Sequence, residues 1–588
     1  MKDFFKYVLA TVVGLVLTSI IMFALGAMSI VGMIASGEAT KSIDHNSVLV
    51  LKLDGMMSEQ SEDNFMNKIN GIEGLSFENT MQAIQRAAAN EDVAGIYIEA
   101  GQFGADLAQA EELHAELEKF RKTGKWIIAY GEDYNVLSYY LASTANKVYM
   151  NPQGTVNWIG LGGEAMYIKN TLAKFGIKYV PVKVGKYKSA VERYTADEMS
   201  AADREQTERF LKGWWNTIVK GVSASRHISA ADLNKYADDM IALGEPKQFV
   251  STKMVDKLLY TDEVKPAVKK FMKLDEDDDI NQISVDDILN TKIKEDGDKV
   301  AVYYAFGNII DEETPQGTFA GTTNIVAKRV CQDLQEIADN DKIKAVVLRI
   351  NSGGGSAYAS EQIWHQVKKL REKKPVVVSM SGAAASGGYY ISAPANYIIA
   401  DNTTITGSIG IYGLYRDMSE LYTKKLGINF SQVGTNRNSV LGSQKYGFTP
   451  EQFTALQNNV NRGYELFKSR VAEGRKLTAA QVENIAQGRV WLGEDAKKIG
   501  LVDEIGGLNR AIAKAASLAK CKEYYAETWG ETPSLLEQLL ANSTDMDTYL
   551  DTKLKNTLGA LYEPVMMMNE YEQMDKVQAR MPYIINIK

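Results

Sequence analysis

The chain has 588 residues, too many for one hydrophobic core, so at least two domains are expected. Its 66 Lys and Arg against 74 Asp and Glu leave a net charge of −8, and no basic stripe runs along it, which argues against a nucleic-acid partner. Two cysteines, Cys331 and Cys521, and four histidines, His45, His114, His227 and His365, lie scattered without metal spacing, so no disulfide framework, zinc site or other cofactor is expected.

Residues 7 to 36 carry no charge. The run YVLATVVGLVLTSIIMFALGAMSIVGMIAS exceeds the roughly 20 residues that span a bilayer. Lys2 and Lys6 precede it, which under the positive-inside rule keeps the short N-terminus in the cytoplasm. The competing reading is a cleaved signal peptide, with Ala24-Leu25-Gly26-Ala27 as a weak cleavage site. The apolar core of such peptides, about 7–15 residues, is shorter than this run. An uncleaved single-pass anchor with its flanks over 1–40 is expected, in the cytoplasmic (inner) membrane, with the body extracytoplasmic or periplasmic.

The body contains one unit twice. The first copy, expected over 41–273, opens with the apolar strand SVLVLKLDG (47–55). A helix-period segment, a strand at Val93–Ala100, the turn Gly101-Gln102-Phe103-Gly104-Ala105 and a further strand at Trp126–Tyr130 follow. Such short β-rich runs with intervening helices predict an α/β unit with a largely parallel sheet. His114 reads as part of a partly solvated helix face, as does His365 in the second copy. Near the end of the first copy, FGIKYVPVKVGKYKSA (175–190) crowds Lys183, Lys186 and Lys188 together.

The acidic stretch LDEDDDINQISVDDILNTKIKEDGD (274–298) is expected to be a solvated connector, with the boundary between copies near residue 296. The second copy, expected over 299–520, repeats the order: KVAVYYAFG (299–307), then strands at Ala345–Asn351 and Val376–Ser379. The copies align without gaps through their centres. Tyr389 and Tyr390 fall on Tyr139 and Tyr140, and Asn396 falls on Asn146. The remaining stretch, 521–588, is polar and helix-prone, with a Met566-Met567-Met568 patch suited to a core or subunit contact.

Candidate chemistry differs between the copies. Ser386, in Ala-Ala-Ser-Gly-Gly-Tyr-Tyr, is predicted at a strand-to-helix turn. That position exposes a hydroxyl and aims free helix amides at the reacting centre. The same residues also suit a small-residue helix cap packed on the sheet. Asn351-Ser352-Gly353-Gly354-Gly355-Ser356 follows a strand and precedes a helix. Its unshielded amides, at Gly354 or Gly355 together with Gly387, suit an oxyanion. The stretch lacks the GK[ST] of a phosphate loop and the third glycine of GxGxxG. At the matching positions of the first copy, Val136 replaces Ser386 and Trp158 replaces Ser408. With no histidine well placed, a buried lysine of lowered pKa is the available base. The lysine cluster at 183–188 has no counterpart in VGTNRNSV of the second copy. A serine in one half and a lysine in the other suggest a divided site.

These motifs resemble the long, duplicated form of the signal peptide peptidase A family, membrane-anchored Ser/Lys peptidases of the Clp protease/crotonase fold group. The resemblance runs from the anchor to about residue 520, and its strongest motifs are GKYKSAVE (185–192), INSGGGS (350–356), SGAAASGGYYIS (381–392) and TGSIGIYG (406–413). It is supported by GRVWLGEDAKKIGLVDEIGG (488–507) and departs at Gly353, where related sequences usually carry proline. The resemblance implies an α/β fold of two tandem Clp/crotonase-like domains behind a transmembrane helix. It makes Ser386 the nucleophile, Lys188 the general base and Ser408 the hydroxyl that orients the lysine. Gly387, Gly354 and Gly355 line the oxyanion hole. It further implies remnant signal peptides and other apolar peptides as substrates, and a homotetramer. Two rivals are a crotonase-like acyl-CoA enzyme and a non-catalytic membrane scaffold. An extracytoplasmic body makes coenzyme A an improbable partner, and the scaffold predicts that the Ser386 and Lys188 positions tolerate change.

Overall fold

The structure, a computed structural model, describes residues 42–61, 74–292, 295–312, 324–530 and 578–581. The expected anchor at 7–36 and the methionine patch at 566–568 lie outside them. Among the described residues no helix is long and apolar enough to cross a membrane.

Each copy builds a parallel sheet. In the first, Ser47–Ser58, Val93–Gly104, Trp126–Gly131 and Lys147–Met150 pair side by side. In the second, Asp298–Phe306, Ile343–Ser352, Val376–Ala385 and Tyr397–Ala400 repeat that order. The central strands are buried on both faces: Val346, Val347, Val376, Val377 and Val378 are all fully covered. That is why these stretches read as continuous apolar runs rather than alternating ones. Helices Phe77–Ala89 and Ala327–Asp339 occupy equivalent places, as do the long helices Ala201–Arg226 and Pro450–Arg475.

Two of the joins between the copies set the frame of the site. First, Lys178–Lys183 of the first copy pairs antiparallel with Tyr412–Asp417 of the second, within a sheet that also holds Gly354–Ser356 and Gln578–Arg580. Second, Arg349 is fully buried between the copies, its Nε 2.9 Å from Glu59 Oε2 and its Nη1 2.7 Å from Glu112 Oε1. The same guanidinium donates to Ser379 and Ser381, and Asn351 Nδ2 donates to Glu59 and Asp106. A buried guanidinium is tolerated only when so fully satisfied.

Within the acidic stretch, Gln282–Ile283 pairs with the first strand of the first copy, and the helix Val285–Leu289 buries Ile288. Two expectations are corrected. The described part of 521–588 is extended, not helical: Tyr524–Trp529 adds a parallel strand beside Asp298–Phe306. Its Tyr-Tyr-Ala-Glu-Thr-Trp sequence, with two aromatic residues leading it, suits a half-covered sheet edge. His114 is buried rather than solvated, stacked on Tyr140 with ring centroids 4.3 Å apart. Burial, with a smaller contribution from Arg121, pushes its pKa down to about 4.

Candidate active site

The cross-copy strand pairing ends with Lys183 opposite Tyr412. The chain then turns at Gly185, where φ is +95° and a Cβ would lie 2.4 Å from the Gln487 backbone. Only glycine permits both the conformation and the approach. Tyr187 N–H donates to Gln487 O at 3.0 Å, which docks the loop on the second copy. Behind it, Ser189 Oγ donates to Asp203, and Gln206 bridges Tyr187 O and the Val490 amide.

Lys188 follows, fully buried, with its stem against two glycines. A Cβ at Gly488 would lie 2.9 Å from Lys188 Cβ, and one at Gly410 would lie 3.4 Å from Lys188 Cδ. Its Nζ is 2.8 Å from Ser386 Oγ, 2.9 Å from Ser408 Oγ and 3.1 Å from Ser408 O. Burial pushes its amine well below the ordinary lysine value of 10.5. A neutral amine has two N–H donors and one lone pair. In that form the two N–H groups can donate to Ser408 O and Oγ, and the lone pair can accept from the Ser386 hydroxyl. The neighbouring lysines point elsewhere: Lys183 reaches Lys188 O, and Lys186 lies over the Tyr187 ring.

Ser386 sits between the strand Val376–Ala385 and the helix Gly387–Ser392, with φ 54° and ψ −113°. This strained conformation, which costs on the order of 1–3 kcal/mol, turns a buried hydroxyl out of the strand. The Ser386 amide donates to Gly407 O, and its carbonyl accepts the first helical bond from Tyr390. Ser408 also has positive φ, 49°.

The glycine strand Gly354–Ser356 runs past this turn. A Cβ on Gly354 would lie 2.6 Å from Gly387 N, so turn and helix start are in contact. The Gly354 amide donates to Ser352 Oγ at 3.1 Å. Gly355 lies opposite Ala579 in the antiparallel ladder with Gln578–Arg580. Thus the residues that the resemblance singled out, Lys188, Gly354, Gly355, Ser386, Gly387 and Ser408, lie together and come from both copies. The clamp of Ser189, Asp203 and Gln206 and the roles of Gly410 and Gly488 were not anticipated. The glycines lie in motifs already noted, TGSIGIYG and GRVWLGEDAKK, but nothing local ties them to a lysine two hundred or more positions away.

A two-copy α/β architecture with a strand-to-helix turn facing a glycine strand is Clp-protease-like, and the Clp protease family model matches residues 319–404. The model of peptidase family S49 matches twice, at 119–275 and 368–522, and the chain belongs to this family. It is similar to Protease 4 of Salmonella typhi, 37% identical over 473 residues, covering 79% of this chain and 75% of that protein. Protease 4 of Haemophilus influenzae is 34% identical over 85% of this chain and 84% of its own length. The chloroplastic serine protease SPPA of Arabidopsis thaliana is 28% identical over 92% of this chain and 78% of its own. The chain is a serine peptidase.

Proposed function

We propose that this chain is a membrane-anchored endopeptidase with a Ser386–Lys188 dyad, which degrades remnant signal peptides and other apolar peptides at the extracytoplasmic membrane face. The observation that carries the reading is the 2.8 Å contact between Lys188 Nζ and Ser386 Oγ in a fully buried setting. Neutral Lys188 takes the Ser386 proton as Oγ attacks a peptide carbonyl. The amides of Gly387 and Gly355 receive the oxyanion. Lys188 then protonates the leaving amine, and water hydrolyses the acyl-enzyme. Ser408 holds the amine in place throughout.

The wider reading divides the body into a lysine-supplying repeat at 41–273 and a serine-supplying repeat at 299–520, joined by 274–298. An anchor in the apolar run 7–36 keeps the site where apolar peptides leave the bilayer. Assembly is as a homotetramer. The test is labelling of the purified chain with a fluorophosphonate, followed by peptide mapping, beside cleavage of casein and a synthetic signal peptide. Label on Ser386, lost in Lys188→Ala together with cleavage, is the expected result. Label on any other residue, or cleavage at the parent rate by either variant, overturns the dyad.

A further inference from the structure

A short segment of the second copy, Gln487-Gly488-Arg489-Val490, touches both the lysine loop and Ser408. Gln487 O accepts from the Tyr187 amide, and Gly488 N–H donates to Ile409 O at 2.8 Å while lying against the Lys188 stem. Arg489 O accepts from the Ser408 amide at 2.7 Å. Val490 pairs with Gly407 in the antiparallel ladder that leads into Ser408.

The Arg489 side chain returns to the same loop. Its guanidinium lies over the rings of Tyr187 and Trp491, 4.9 and 4.5 Å from their centroids. Its Nη1 donates to Tyr187 Oη at 2.8 Å and meets Glu205 Oε1 at 2.8 Å. Tyr187 O–H donates in turn to Glu205 Oε2 at 3.0 Å. Glu205 stands on the first copy's helix Ala201–Arg226, beside the Asp203 and Gln206 that hold Ser189 and Tyr187 O. Both chain neighbours of Lys188 are therefore pinned by one helix, and Tyr187 is pinned from the other copy as well.

With 22% of the arginine side chain and 51% of the glutamate exposed, the ion pair itself adds little to stability. Its geometry does more. A guanidinium is flat enough to stack on rings and forked enough to reach two acceptors, so it fixes a direction as well as a distance. The lysine amine hangs on a four-carbon stem, and an error of about 1 Å in the loop is enough to spoil a reacting geometry.

We propose that Arg489 is a positioning residue, which latches Tyr187 to Glu205 across the copies and so keeps the Lys188 amine on Ser386 Oγ and Ser408 Oγ with water shut out. The proposal rests on the Ser386–Lys188 reading above. Arg489 acts through the Tyr187-Lys188-Ser189 backbone. Without the latch the loop lifts, water reaches the amine, and the burial that holds it below 10.5 is partly lost. Lys183, paired with Glu192 at 3.9 Å, Lys186, over the Tyr187 ring at 4.8 Å, and Asp203 also face this loop, and the substitutions below leave them in place.

The experiment is the pH profile of fluorophosphonate labelling at Ser386, beside urea unfolding of the same full-length chains. In Arg489→Ala the midpoint is expected to move up by about one unit, which costs about tenfold in labelling rate below both midpoints and little above them. Arg489→Lys keeps the charge without the flat fork and is expected to recover only part of that rate. Tyr187→Phe removes just the hydroxyl that joins Arg489 to Glu205; it is expected to move the midpoint the same way by less, and carries the test if Arg489→Ala does not fold. Arg209→Ala, which breaks a different cross-copy pair with Glu494 and Asp495, is expected to leave the midpoint alone. An unmoved midpoint, or a loss equal at every pH that tracks unfolding free energy, overturns the positioning role and leaves the dyad standing. An equal shift in Arg209→Ala overturns the assignment to Arg489. A parent chain that takes no label on Ser386 sinks the dyad, and this inference with it.

Discussion

The two copies keep the same scaffold hydrogen bonds and differ where the chemistry lies. Tyr139 O–H donates to Met254 O and Tyr389 O–H to Leu501 O, each at 2.8 Å. Asn146 and Asn396 each accept a 2.8 Å bond from a strand amide, at Ile127 and Val376. Asp256 and Asp503 do the same for Val148 and Ile398, and each pairs with an arginine ending a long helix. At the strand-to-helix turn they part. In the first copy Asn135, at φ −79°, caps its helix by accepting from Ser138 N–H at 2.8 Å, and Val136 continues in ordinary helix. In the second, the turn residue is Ser386 at φ 54°. Where Ser408 meets the lysine, Trp158 instead fills the space, its Nε1 donating to Leu233 O and its ring edge-on to Tyr139. At this turn positive φ is found in the copy that carries the serine, while the other copy is helical and packed with Trp158.

This contrast can be broken in several places. The largest effect is expected from Ser386→Ala or Lys188→Ala, each lowering kcat/KM for peptide cleavage by about 10⁴-fold or more with the fold unchanged by circular dichroism. In the first copy the expectation reverses. Trp158→Ala leaves a cavity in the core and costs about 3–5 kcal/mol in urea unfolding, while Val136→Ser gains no labelling by fluorophosphonate. Gly354→Ala, strained by φ +100° and pressed against the Gly387 amide, is expected to lower kcat by about 100-fold, the scale of a lost oxyanion donor. Ser408→Ala removes one hydrogen bond from the amine and is expected to cost about five- to tenfold in kcat, with KM little changed.

The pH dependence sharpens the same point. Because burial holds the Lys188 amine below its ordinary value, kcat/KM rises with pH through that lowered value and then levels off. Between the folded and unfolded values the unfolded chain binds more protons, so stability also rises with pH there. Lys188→Met is expected to remove that slope from unfolding free energies measured across the window.

Much of this was legible in the chain itself. The paired strands, the strand-to-helix turn at Ser386 and the asymmetry between the copies all follow from local pattern and internal alignment. Choosing Lys188 among Lys183, Lys186 and Lys188 needed a resemblance, because the three differ only in burial, and burial is decided by the cross-copy pairing of Lys178–Lys183 with Tyr412–Asp417. The strand at Gln578–Arg580 was invisible for the same reason. Three residues in a polar stretch carry no periodicity, and their conformation comes from the edges they fill. Arg349 gave no signal either, since its carboxylate partners lie more than two hundred positions away.

That arginine bears on how such a chain tolerates rearrangement. With the copies still packed, losing either Glu59 or Glu112 would leave a buried guanidinium short of a partner, a loss of about 3–5 kcal/mol. A change at Glu59 or Glu112 in one copy is therefore felt at Arg349 in the other, so the two halves answer as one unit to substitutions at this centre.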